Sequence, residues 1–123
     1  MTTIANIAAL FVALLHVYFL VLEVFLWDKP YGLRTFSMTP EYAAASKKLA
    51  ANQGLYNGVL AAGLLWGLGM GTAGYSTILF FLVSIVVVGV FGGWTVNRKI
   101  FWVQALPAAV ATALVALSGN AGL

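Results

Sequence analysis

Apolar residues run almost without interruption over residues 4–27, and again over 49–70, 75–95 and 100–117, while most charged residues fall between these runs. A hydrocarbon layer of about 30 Å takes roughly 20 helical residues, so each run predicts one transmembrane helix. No basic residue precedes the first run, and it continues through Glu23 to Trp27 without a small-residue cleavage site. That pattern predicts a retained span, not a cleaved signal. Residues 28–40 hold Asp28-Lys29-Pro30, Tyr31-Gly32 and Thr39-Pro40, a set of helix breakers, after which Thr39-Pro40-Glu41 reads as a helix start with Thr39 as cap. A Gly-rich segment over 69–74 separates the second run from the third, and Arg98-Lys99 separates the third from the fourth. Connections this short place neighbouring runs antiparallel. The expected fold is therefore all-α, an up-down-up-down bundle of four transmembrane helices in a single domain over residues 1–123.

Composition removes the soluble alternative. The chain has 123 residues, 63% hydrophobic and 7% charged, against about a quarter charged in a soluble domain. Six basic and three acidic side chains cannot cover a surface that faces water. The net charge of +3 does not indicate nucleic acid, because the basic residues are few, sit beside the apolar runs and are not interleaved with a stacking platform of aromatic rings. The bilayer is the partner that this composition requires. With no cysteine in the chain, disulfides, thiolate metal sites and cysteine nucleophiles are excluded. Lys29, Arg34, Lys47 and Lys48 lie in the first connection, Arg98 and Lys99 in the third, and none in the second or at either end. Lys and Arg in short loops are retained on the cytoplasmic side. The distribution predicts a bacterial inner (plasma) membrane protein with both termini periplasmic or extracellular.

An ionisable side chain at membrane depth costs at least about 2.5–3.5 kcal/mol, so the polar residues within the runs are the candidates for function. Glu23 lies four residues inside Trp27, about 6 Å below the interface, either paired with a cation such as Arg98 or facing a polar site. His16 is seven residues earlier on the same expected helix face, about 10 Å away along the axis. It reads as an interhelical hydrogen-bond partner or as the apolar floor of a site. No second His and no Cys accompany it, so no zinc or haem set is expected. The second run opens with Asn52-Gln53-Gly54-Leu55-Tyr56-Asn57-Gly58, dense in amides for a membrane helix, and the fourth carries Gln104 and Pro107. Glu23, Asn52, Gln53, Asn57, Asn97, Arg98 and Gln104 all fall in the cytoplasmic half, which suits a pocket open to that side better than a continuous pore. The expected ligand-binding set is Glu23, Asn52, Tyr56, Asn57, Arg98 and Gln104, with His16 beneath, and the alternative is that they serve as interhelical hydrogen bonds. Gly54, Gly58, Gly63, Gly67 and Gly71 are expected to be packing positions where helices approach closely.

Three blocks carry a family resemblance. They are His16-Val17-Tyr18-Phe19 with Glu23 and Trp27, then Ala50 to Gly58 with Leu60 to Leu64, and Thr95-Val96 with Arg98-Lys99 and Gln104 to Ala108. Over nearly its whole length the chain resembles the bacterial family called domain of unknown function 1304, which implies a small four-helix inner-membrane protein and assigns no activity. More distantly, the layout is similar to the membrane-associated proteins in eicosanoid and glutathione metabolism, small four-span bundles that trimerise with a cytoplasm-facing polar site near the start of the second helix. Asn52 matches an Asn of their motif, while the Arg before it and the Glu after it have no counterparts here. That resemblance implies a homo-oligomer. Three functions compete: a protein binding a small polar or amphipathic molecule in the cytoplasm-facing pocket, a trimeric glutathione-dependent enzyme, and a small proton-coupled exporter with a membrane-embedded Glu in its first span. The first is preferred, and the one-sided charge distribution places the exporter last. No catalytic residue and no cofactor is assigned.

Overall fold

A chain this apolar must satisfy its backbone groups within each segment, and helices do so. The computed structural model describes residues 1–121, and every regular element among them is helical. Helix α1 (Thr3–Leu20) runs directly into a widened π-helical turn, Val21–Phe25. A short helix α2 (Pro30–Thr35) follows, then the 30-residue α3 (Pro40–Gly69). A 3-10 turn over Gly71–Gly74 leads into α4 (Tyr75–Thr95), and a second π-helical turn, Phe101–Ala105, opens α5 (Leu106–Ala121). Thr3–Phe25, Gly71–Thr95 and Phe101–Gly119 are long and apolar enough to cross a membrane. They correspond to the first, third and fourth expected spans. The second lies within α3, which is long enough at about 45 Å but carries Lys47, Lys48, Asn52, Gln53 and Asn57. Those side chains keep it from passing on composition alone.

The segment over 28–40 is more ordered than its breakers suggest. Pro30 occupies the first turn of α2, where its missing N–H is no loss, and Lys29 before it is extended. Ser37 ends the excursion in the left-handed region at φ 52°. Thr39 caps α3 as expected, its Oγ1 accepting the Tyr42 N–H at 3.1 Å.

Packing groups the chain into two compact units. The first, Leu14–Ala61, holds the later part of α1, α2 and the earlier part of α3. Gly54 rests against the Glu23 and Val24 side chains and Gly58 against Leu20, so α3 lies close on the π-helical turn. Gly32 lies against the Leu26 and Trp27 carbonyls, closer than any Cβ would allow. Trp27 packs at a tilt of 44° against Phe36 with ring centres 4.8 Å apart, and its indole N–H donates to the Ser46 hydroxyl at 3.0 Å. Lys47 pairs with Asp28 at 2.9 Å. The hydrogen bond from Lys47 is the main reason the Asp28 carboxyl sits below its ordinary range.

The second unit joins Met1–Ala13 to the chain from Ala62 onward. On α4 the buried positions Ile78, Leu82, Ile85, Gly89 and Gly93 recur at helical spacing. They meet small residues: Gly67 packs on Ile78, Gly89 on Ala105, and Gly93 on the Phe101 ring. Gly74 lies against the Gly67 carbonyl, so the turn between α3 and α4 can be tight. The opposite face of α4 exposes Phe80, Val83, Val87, Val88, Phe91 and Trp94, an outward apolar surface that suits lipid. At the chain ends of this unit, the Thr2 N–H donates to the Ser118 hydroxyl.

Gly74→Ala should destabilise the protein by roughly 1–3 kcal/mol, because its Cβ would fall 1.8 Å from the Gly67 carbonyl oxygen and backbone must move. Gly69→Ala, with nothing within 4 Å of the added carbon, should be close to neutral. Melting temperatures in detergent separate the two, and equal losses would show that the close approach at Gly74 contributes nothing.

Candidate functional site

Glu23 stands in the π-helical turn Val21–Phe25, closed by the Leu26 N–H donating to the Val21 carbonyl at 3.2 Å. One residue more per turn widens the helix, and such turns recur at functional sites. Opposite the wide turn, α3 presents Gly54, whose missing Cβ would meet the Glu23 Cβ at 2.9 Å and the Val24 Cγ2 at 2.8 Å. Nearly one turn further along α3 comes Asn57, on the same stripe. Its side-chain amide donates to Glu23 Oε1 at 2.5 Å. Asn57 is buried and Glu23 half-buried.

The amide shares the carboxylate's hydrogen bond but brings no positive charge. Of the first-connection cations, Lys47 is engaged by Asp28 instead. One carboxylate oxygen is held, and the group as a whole stays suited to accept a cation or a proton-bearing donor. His16, in the same unit, is fully buried and meets Phe19 edge-on with ring centres 5.1 Å apart.

The remaining candidates fall elsewhere. Asn52 and Tyr56 form an i, i+4 stripe on the exposed face of α3, together with exposed Gln53, whereas Asn57 lies on the buried face with Gly54 and Ala61. The amide-rich segment is thus divided between two faces. Gln104 and Arg98 belong to the second unit. Gln104 is half-exposed within the second π-helical turn, whose closing bond runs from the Leu106 N–H to the Phe101 carbonyl. Arg98 is exposed in the connection before it, beside a turn in which the Asn97 side chain accepts the Lys99 N–H at 2.9 Å. Two apolar surface grooves in this unit, one along Ser76, Phe80, Ser84 and Val87 and one along Asn6, Ile7, Leu65 and Leu68, contain none of the expected site residues.

Two features were not read from the sequence. One is the pair of π-helical turns, each bearing a polar candidate, Glu23 in the first and Gln104 in the second. The second has a signal in Pro107: its ring cannot sit over the carbonyl four residues back and offers it no N–H, and a wider turn relieves both problems. The other is a contact between the Tyr18 and Tyr31 hydroxyls, 2.5 Å apart.

The fold and the site together define a class: an all-helical chain with three helices able to cross a bilayer and a half-buried carboxylate held by an amide where the first meets α3. Residues 10–116 match the model of a protein family of unknown function, DUF1304, and the chain belongs to that family. It is also 33% identical over 106 residues to the uncharacterised protein YpaA of Lactococcus lactis subsp. lactis (strain IL1403), covering 85% of this chain and 89% of that protein. No solved structure matches the chain.

Asn57→Leu removes the amide that donates to Glu23 and strands a half-buried carboxylate, with an expected loss of roughly 1–3 kcal/mol. Adding Glu23→Gln should return part of that loss, since an uncharged amide costs less to leave there. The coupling from the four-variant cycle, measured by unfolding in detergent, should be at least about 0.5 kcal/mol. Additive losses would mean that the two side chains act independently.

Proposed function

We propose that the protein crosses the bilayer four times, with α3 as the second span, and that the Glu23–Asn57 pair is the centre of a cytoplasm-facing polar site for a small polar or amphipathic molecule. The observation that carries the site is a half-buried carboxyl group on an apolar helix, bonded to a neutral amide. Two neutral partners would tie α1 to α3 at a smaller desolvation cost. A carboxylate at that place is suited to receive a cationic or hydrogen-bond-donating group of a ligand.

Charge placement supports the fourth span. If α3 stayed on one side, Arg98 and Lys99 would lie across the membrane from the first connection, and the basic residues would be split four against two. With α3 crossing, all six share the cytoplasmic side, as positively charged short loops do. Both termini then face outward from a bacterial plasma membrane, and the four crossings form an up-down-up-down bundle. A homo-oligomer is the second reading of the α3 surface, favoured by the exposure of Asn52, Gln53 and Tyr56 in the single chain.

Asn57 lies in the site and Val87 on the outward apolar face of α4, so a thiol at each reports water in the site against lipid. The absence of native cysteine allows each to be made alone. A membrane-impermeant thiol reagent should label Asn57→Cys from the cytoplasmic face of inverted vesicles and spare Val87→Cys, while a reporter active only outside the cytoplasm, fused after Leu123, should score positive. Equal lack of labelling would remove the water-filled site and leave the pair as an interhelical hydrogen bond. A silent reporter would overturn the orientation.

A further inference from the structure

The segment joining α1 to α3, together with the first turns of α3, carries four basic residues, Lys29, Arg34, Lys47 and Lys48, against two acidic ones, Asp28 and Glu41. Asp28 is held by Lys47 and also feels Lys29, so a surplus of positive charge remains with Arg34 and Lys48 exposed. Aromatic side chains stand among these charges. Tyr31, Phe36 and Tyr42 are exposed, and Trp27 lies beneath Phe36.

The placement of α2 gives this composition its meaning. The Gly32 backbone rests on the carbonyls that end the first helical run. Tyr31 then reaches back to Tyr18, a residue about 10 Å inside the apolar run as measured from Phe25. Helix α2 therefore lies against the end of that run, with the Tyr31 ring reaching back along α1 and Tyr31 and Phe36 exposed. Pairing the two phenols satisfies both hydroxyls at that depth. Aromatic rings at the apolar boundary beside outward cations are the make-up of an interfacial element, and the charge surplus complements an anionic surface.

We propose that α2 is an interfacial anchor that binds an anionic phospholipid, with Arg34 and Lys29 holding the headgroup phosphate and Tyr31 and Phe36 seated at the acyl boundary. The occupant is a lipid and not a soluble anion, because the cations are flanked by exposed aromatic surface that free phosphate would leave uncovered.

The test titrates phosphatidylglycerol, phosphatidylcholine or inorganic phosphate into the full-length protein in nonionic detergent and reads the melting temperature. Phosphatidylglycerol should stabilise at lower concentration than phosphatidylcholine, and phosphate should have no effect. Each cation near an anionic headgroup is worth about fivefold, so Lys29→Gln with Arg34→Gln should weaken the phosphatidylglycerol response roughly 30-fold and leave the phosphatidylcholine response unchanged. If that double variant does not fold, Arg34→Gln alone, at an exposed position, should show about a fivefold loss. Equal responses to the two lipids, a preference that survives these changes, or a phosphate response matching that of phosphatidylglycerol would each overturn the proposal.

Discussion

A polar group in an apolar medium has to find its partner inside the chain, and this constraint organises the molecule. Among the described residues no buried side-chain nitrogen or oxygen is left without a hydrogen-bond partner. The hydroxyls of Ser84, Thr95 and Thr112 each turn back onto the carbonyl four residues earlier in their own helices, all at 2.7 Å. Such bonds satisfy a side chain without linking helices. The bonds that link elements are the informative ones, among them Asn57 to Glu23, Trp27 to Ser46 and Tyr18 with Tyr31.

Those links depend on how closely the backbones approach. Between helices surrounded by lipid, little hydrophobic driving force remains, and close packing carries the association. Gly54 and Gly58 bring α3 against the wide turn of α1, and only at that range does the short side chain of Asn57 reach the carboxylate. Small residues on α4 do the same in the other unit, where Gly89 meets Ala105 and Gly93 meets Phe101 of the second π-helical turn. A glycine here sets a distance, and the distance selects the partner.

Much of the helical framework was legible because it rests on local chemistry. Length and hydropathy alone give Thr3–Phe25, Gly71–Thr95 and Phe101–Gly119, and Thr39 caps α3 by an interaction contained within four residues. Helix α2 was hidden since Pro30 and Gly32 read as breakers, whereas one starts the helix and the other lets it pack. Glu23 and Asn57 could both be named from sequence, yet their pairing depends on which stripe of α3 faces α1. Gly54, three residues before Asn57, marks that stripe, while Asn52 and Tyr56 lie off it and are exposed. The π-helical turn at Val21–Phe25 carries no proline, and no local pattern in the sequence records it.

That turn also bears on how the chain can change over generations. A π-helical turn is equivalent to one residue inserted into an α-helix that otherwise keeps its course. Deleting a residue there would restore an ordinary turn with the helix on either side keeping its facing, and what would be lost is the local width that sets Glu23 against Gly54 and Asn57. This helix can therefore gain or lose a residue at that turn without refacing its remainder, and an indel there alters the site before it alters the scaffold.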